Sequence, residues 1–168
     1  MREIATHVRI RPLTAADGES VRRILEATGR FTTEELSVAL EVVEEWIESG
    51  DASGYITSVI EDSSGDVRGY VCYGPTPLTS GTFDLYWIAV EPTAQGKGFG
   101  QRLLAHAEAD VRKRGGRMIL IETSSQDSYA STIHFYERAG YELVARIPGY
   151  YRPGDDKLVF AKNLRSAG

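Results

Sequence analysis

Apolar positions along the chain alternate between a period of two and a period near 3.6, and the changes of period mark the elements. Residues 7–13 (HVRIRPL) alternate and read as a first strand. Thr14 can cap a helix that carries Val21, Ile24 and Leu25 on one face. Thr32 or Thr33 caps a second helix, with Glu34 and Glu35 in its first turn. Its apolar stripe is Leu36, Ala39, Leu40, Val43, Trp46 and Ile47, and Gly50 ends it. Residues 54–61 (GYITSVIE) and 67–73 (VRGYVCY) flank a polar turn at 62–66 and predict a hairpin. Residues 82–90 (TFDLYWIAV) are nearly all apolar, which predicts a strand buried on both faces at the sheet centre.

A further helix places Leu103, Leu104, Ala107 and Val111 on one face and stops at Gly115-Gly116. Residues 117–124 (RMILIETS) predict another central strand, and residues 131–139 a helix closed by Gly140. Residues 142–147 and 157–162 predict two last strands, joined in a long hairpin whose loop includes Tyr150, Tyr151 and the run RPGDD. The order is β-α-α-β-β-β-α-β-α-β-β. It predicts an α/β (α+β) fold: a mixed sheet of about seven strands with helices on its faces. There is no internal repeat or linker, so residues 1–168 read as a single domain.

Composition narrows the class. Apolar residues make up 42% and charged residues 26%, as in an ordinary globular chain. No apolar run approaches the roughly 18 residues of a membrane span, and MREIATHVRIRPL lacks the apolar core of a secretion signal. A lone cysteine, Cys72, fits a reducing cytoplasm. The net charge of −5 argues against nucleic-acid binding, which needs a basic surface. The scattered His7, His106 and His134 have no metal-ligand spacing, so no metal is expected. Cys72 lies in an apolar strand with no histidine placed to activate it, and reads as packing.

The stretch VEPTAQGKGFGQRLL carries the chemistry. Gly96, Gly98 and Gly100 alternate with Lys97 and Phe99, between the apolar strand and an amphipathic helix. Helix N-termini leave N–H groups unpaired and carry partial positive charge, and glycines let an anion approach them closely. Lys97 adds a full charge, and Gln95 can orient the loop. The same glycines also suit a plain strand-to-helix turn. The spacing is neither G-x-G-x-x-G nor G-x-x-x-x-G-K-[ST], which sets nucleotide-binding readings aside.

The pattern Gln95-x-x-Gly98-x-Gly100 and, further on, HFYERAGY (residues 134–141) resemble the two motifs of the GNAT superfamily of acetyl-CoA-dependent N-acetyltransferases. The strand and helix order is similar too, so the resemblance covers nearly the whole chain. It implies a GNAT-like, mostly antiparallel sheet, splayed at its centre, with helices on both faces. It implies acetyl-CoA as co-substrate, its pyrophosphate held by Gln95, Gly96, Lys97, Gly98, Phe99 and Gly100, and its pantetheine arm beside Ile88, Ala89 and Val90. A backbone N–H near Ile88–Val90 would steady the oxyanion. Tyr136 takes the position of the general acid that assists the departing thiolate. Thr123 and neighbouring serines would meet cofactor or substrate. Tyr129 stands where many members carry a cofactor-contacting Asn, a departure from the pattern.

The family fixes no general base. Glu122 and Asp84 are carboxylates inside otherwise apolar strands, where burial would favour a base; either also suits a structural pairing. Tyr151, in the last hairpin, is the candidate for contact with the acceptor. The acidic face of the second helix (Glu34, Glu41, Glu45, Glu48 among others) reads as solvated. The expected function is transfer of an acetyl group from acetyl-CoA to a primary amine, on a small molecule or a peptide, by direct attack in a ternary complex. The expected location is the cytoplasm, and surface Leu, Trp and Tyr residues leave room for a homodimer. The rival readings are a non-catalytic acyl-CoA-binding regulator and a structural domain whose glycines are turns.

Overall fold

The computed structural model describes residues 7–165. Residues 1–6, which open the stretch read above as lacking a secretion signal, and residues 166–168 lie outside them. The elements run β1 (Arg9–Pro12), α1 (Gly18–Thr28), α2 (Thr33–Ser49), β2 (Ile56–Glu61), β3 (Val67–Pro75), β4 (Thr82–Val90), α3 (Phe99–Lys113), β5 (Met118–Ser124), α4 (Ala130–Arg138), β6 (Glu142–Arg152) and β7 (Asp155–Asn163), with short 3-10 turns in several connections. All seven strands lie in one sheet, ordered β1-β2-β3-β4-β5-β7-β6. β4 and β5 run parallel, while β1 with β2, β2 with β3, β5 with β7 and β6 with β7 are antiparallel. The sheet is mixed and mostly antiparallel, with the predicted order of elements. No helix among the described residues is long and apolar enough to cross a membrane.

Packing divides the chain into two compact units. One holds the residues up to Tyr73 together with Trp87–Ala107, and the other holds Gly74–Tyr86 and the residues from Glu108 onward.

In the first unit α1 and α2 cover one face of β2 and β3. Val21, Ile24 and Leu25 of α1 and Ala39, Val42 and Val43 of α2 pack with Val59, Tyr70 and Cys72. Thr32 caps α2: its hydroxyl accepts from the Glu35 amide at 3.1 Å, and the Glu35 carboxylate accepts from the Thr32 amide at 2.7 Å. Arg11 on β1 donates to both carboxylate oxygens of Asp17, at 2.7 and 2.9 Å, and to Glu61 of β2 at 2.7 Å. On the other face α3 approaches β3 at Gly69. A Cβ there would stand 2.8 Å from the Ala89 carbonyl oxygen and 3.2 Å from Leu103, so only glycine permits the contact.

In the second unit β5 alternates. Ile119, Ile121 and Thr123 are buried, while Met118 and Leu120 are partly exposed and Glu122 is exposed. Its apolar residues serve two faces, of which one is more fully covered, so Glu122 is not buried as its apolar neighbours suggested. The prediction that β4 is buried on both faces fails: Thr82, Phe83, Leu85 and Ala89 are buried, but Tyr86 is 39% exposed. The last hairpin is longer than its apolar pattern suggested. Tyr150, Tyr151 and Arg152 belong to β6, Asp155 and Asp156 to β7, and only Pro153 and Gly154 form the turn. Polar residues extend both strands because Arg152 pairs with Asp155 in the ladder, and Arg146 bonds Asp156 at 2.6 Å.

Candidate functional site

The glycine loop lies in the first unit. After β4 the chain passes Glu91, whose amide donates to the Arg68 carbonyl at 2.8 Å. The Glu91 carboxylate is clamped by Arg68 at 2.7 Å and Arg23 at 2.8 Å. Hydrogen bonding from Arg68 holds this carboxyl below its ordinary range, so the acid at the head of the loop is already balanced by two guanidinium groups. Gln95 folds back, and its amide Nε2 donates to the Val90 carbonyl at 3.1 Å. That bond ties the loop to the last residue of β4.

Gly96 and Gly98 both have positive φ, at 78° and 83°, a region open to glycine at little cost. A Cβ at Gly96 would meet nothing within 4 Å, and one at Gly98 only the tip of Gln101 at 3.9 Å. The loop therefore presents backbone to open space. Lys97 is exposed, whereas Phe99 is buried and anchors the start of α3, a helix of 15 residues. Phe99 can offer a ligand only its amide. The first hydrogen bond of the turn, from the Arg102 amide to the Gly98 carbonyl, is 3.1 Å long. The leading amides of α3 have no carbonyl four residues back, so an anion over Gly96, Gly98 and Gly100 meets unpaired donors and the positive end of a helix dipole. Ile88 and Val90 are partly exposed at the end of β4, and Ala89 is buried.

The second unit carries Tyr136. The residue lies on α4, 4% exposed, with its ring 6.0 Å from Tyr141 and 6.5 Å from Phe160. Tyr141 in turn donates to Glu108 at 3.2 Å, and Lys162 bonds both Glu108 oxygens at 3.0 Å and the Ala139 carbonyl at 2.8 Å. Burial first, then the Glu108 carboxylate, push the Tyr141 phenol far up, so it stays a neutral donor. The pattern reading missed Glu108 and Lys162. Their only mark in the sequence is a charged residue on an otherwise apolar face: Glu108 follows Leu104 by four and precedes Val111 by three.

Glu122 is not buried as its strand suggested. Its side chain is 51% exposed and bonds Lys157 at 2.8 Å. Strand alternation turns it away from the Ile119–Ile121 face and toward solvent. The hydrogen bond to Glu122 raises the Lys157 ammonium, whose Nζ also lies 4.4 Å from the Tyr150 ring centre. Tyr151 stacks edge-on against Tyr150 at 5.0 Å. Burial and then Glu122 push its phenol up, so Tyr151 and Glu122 share one neighbourhood. Asp84 is half-buried and accepts from the Thr76 hydroxyl at 2.7 Å. Thr123 is buried, and Tyr129 stands just before α4.

A second acid passed over in the pattern is Asp155, 3% exposed at the start of β7. Ser124 Oγ donates to it at 2.5 Å and accepts from the Gln126 amide at 3.1 Å. Beside this pair the Asp156 amide donates to Ser125 Oγ at 2.8 Å. Two adjacent serine–aspartate contacts thus fasten the segment that leads from β5 to α4. Cys72 is fully buried and desolvation pushes its thiol up to about 12, which leaves no thiolate for covalent chemistry near neutrality.

Comparison with known proteins places this chain in a family. The model of the acetyltransferase (GNAT) family matches residues 19–141, a span that runs through both units. A protein of the GNAT acetyltransferase family from Desulfovibrio desulfuricans superposes with a TM-score of 0.89 at 46% identity, covering 96% of this chain and 100% of its own. Blasticidin-S acetyltransferase from Streptomyces morookaense is 41% identical over 81 residues, 48% of this chain and 55% of that protein. The Escherichia coli L-amino acid N-acyltransferase MnaT is 28% identical over 106 residues, 61% and 59% of the two chains. The chain spans less than two thirds of the length of these two curated relatives, and 17% of a mycothiol acetyltransferase from Cellulomonas flavigena that it also matches. At lower identity the fold alone is shared, as with Salmonella typhimurium yncA in complex with acetyl-CoA, at 23% identity, a TM-score of 0.73 and 96% coverage of each chain. On the family match and the near-complete superposition, this chain belongs to the acetyltransferase (GNAT) family.

Proposed function

We propose that the chain is an acetyl-CoA-dependent N-acetyltransferase that acetylates a primary amine by direct attack in a ternary complex. The observation that carries this reading is the loop of Gly96 and Gly98, both at positive φ, open above their backbone and leading into a long helix. A diphosphate fits it: the amides of residues 96–100 donate, Lys97 supplies charge, and the Gln95 bond to Val90 holds the loop in place. Acetyl-CoA brings the activated thioester. The family membership, and the coenzyme A and acetyl-CoA complexes of structural neighbours, support it as co-substrate.

The remaining work falls to this chain's own groups. Amides near Ile88, Ala89 and Val90 donate to the developing oxyanion. Tyr136 gives its phenolic proton to the departing thiolate. Thr123 and Tyr129 contact the co-substrate, and Tyr151 the acceptor. For proton removal from the amine we retain Glu122 and Asp84, each acting directly or through water. Glu122 would have to exchange its bond to Lys157 for the incoming ammonium, and Asp84 its bond to Thr76. In this reading residues 1–168 act as a single catalytic domain, in the cytoplasm, on an amine of a small molecule or a peptide.

Calorimetric titration of acetyl-CoA into the protein tests the proposal, with a Gly98→Glu variant alongside. Saturable binding to the wild type and its loss in the folded variant are expected, because the new carboxylate repels the diphosphate. A folded wild type that binds no coenzyme A species would reduce the loop to a turn and overturn the enzyme reading.

A further inference from the structure

The turn end of the β6–β7 hairpin carries three ion pairs, and one of them is inverted. In Arg146–Asp156, at 2.6 Å, and Arg152–Asp155, at 3.7 Å, the acid is the covered member: the acid side chains are 14% and 4% exposed, the arginines 58% and 61%. In Lys157–Glu122, at 2.8 Å, the cation is covered at 13% and the acid is 51% exposed. The Lys157 ammonium lies 4.4 Å from the centre of the Tyr150 ring, and Tyr151 stands edge-on to that ring at 5.0 Å. Glu122, retained above for proton removal, and Tyr151, assigned above to the acceptor, thus flank one covered ammonium. Resting on that reading of the site, we propose that the acceptor is a free amino acid, whose ammonium takes Glu122 while its carboxylate takes Lys157.

The inversion decides the class of acceptor. An ammonium arriving from solvent meets the exposed Glu122 carboxylate first, and binding there withdraws the anion from Lys157. A simple monoamine or the N-terminus of a peptide brings nothing to replace it. The Tyr150 ring attracts a cation but has no net charge to balance one. Asp155, two residues earlier on β7, already accepts from the Ser124 hydroxyl at 2.5 Å and faces Arg152. A covered charge left without its partner costs more than the intact pair contributes. A diamine makes this worse, because its second cation comes up against Lys157.

A zwitterion keeps the balance. Glu122, the acceptor ammonium, the acceptor carboxylate and Lys157 then alternate in sign, and the site stays neutral. In an amino acid both charged groups hang from one carbon, so the pair has to part only by the width of a small group. The Lys157 ammonium sits on a flexible four-carbon stem, which allows that separation. Glu122 and Lys157 reach each other diagonally across the β5–β7 ladder, where Glu122 lies opposite Val159 and Lys157 opposite Ser124. The arrangement also favours release. Acetylation removes the ammonium charge and leaves an anion, which Glu122 repels as it returns to Lys157.

Initial rates of coenzyme A release by the full chain, at saturating acetyl-CoA, test the proposal. The acceptors are the common L-amino acids, each beside its primary amide and its decarboxylated amine, together with dipeptides and a diamine. For the amino acid accepted best, kcat/KM should exceed that of its amide and of its decarboxylated amine at least about tenfold. Lys157→Met should bring this ratio toward one through the KM of the amino acid, and Lys157→Arg should restore part of it. Melting curves establish that the variants are folded, and the comparison of acceptors in the wild type needs no variant. Wild-type rates that ignore the carboxylate, turnover of peptides or the diamine but of no amino acid, or a preference that Lys157→Met leaves intact would overturn the proposal while the acetyltransferase reading stands. Binding of acetyl-CoA without turnover of any of these amines would overturn both.

Discussion

The ammonium of Lys162 stands 3.0 Å from both carboxylate oxygens of Glu108 and 2.8 Å from the carbonyl oxygen of Ala139. One side chain of β7 therefore joins α3 to the end of α4, the helix that carries Tyr136. Tyr141 completes the clasp by donating to the same Glu108 oxygen at 3.2 Å. Glu108 is only 7% exposed, so its charge depends on these partners rather than on water.

Lys162→Met should therefore destabilise the fold by about 2 kcal/mol, somewhat less than for a fully buried pair because Lys162 keeps contact with solvent. Urea denaturation of the variant and the wild type measures it. Glu108→Gln should cost less, since its amide oxygen still accepts from Tyr141 and Lys162. An unchanged midpoint for Lys162→Met would mean that water replaces the ammonium freely and that the clasp does not hold α4.

Tyr136→Phe separates packing from chemistry. The ring keeps its neighbours Tyr141 and Phe160, so stability should change by less than about 1 kcal/mol. Loss of the phenolic proton should lower kcat more than about tenfold while the KM for acetyl-CoA stays constant, because in the proposed mechanism the hydroxyl acts on the departing thiolate rather than in binding. Steady-state kinetics with any accepted amine decides between the two roles. Full turnover in the variant would leave Tyr136 as a core residue.

The order of strands and helices could be read from the sequence because each element carries its own period and its own stop. Thr32 with Glu35 begins α2, and Gly50, Gly115 and Gly140 follow three of the helices. What could not be read is which face of a strand is covered. RMILIETS looks uniformly apolar until Glu122, yet only Ile119, Ile121 and Thr123 are buried, so the carboxylate chosen for its apolar surroundings is an exposed partner of Lys157. The ends of β6 and β7 were hidden for the opposite reason. Arg152, Asp155 and Asp156 look like a loop in sequence and become strand only through cross-strand pairing. The glycine loop was legible because its signal is local. Glu108 and Lys162 lie far apart in the chain, and no local pattern could have joined them.

Acid should loosen the fold at Asp17. Arg11 donates to both of its oxygens, and the amide and hydroxyl of Thr14 add bonds at 2.8 and 3.0 Å. These bonds, Arg11 foremost, hold the Asp17 carboxyl below its ordinary value of 3.8 although burial opposes them. A carboxyl lowered on folding stabilises the native state above its unfolded value, and that contribution disappears as the pH falls through the folded one. Asp62, Glu91 and Asp156 are lowered by their arginines or backbone donors in the same sense, so the loss should begin below about pH 5 and deepen toward pH 2. Asp17→Asn should cost about 1–3 kcal/mol at neutral pH, where the wild-type carboxylate is ionised and the amide offers Arg11 one uncharged acceptor in place of two charged ones. As the pH falls through the folded value, which lies below 3.8, the wild type loses the same advantage, so the two stability curves should converge. Urea midpoints across this range test the sign. Curves that stay parallel would mean that the shape of the side chain, and not its charge, holds β1 to the turn before α1.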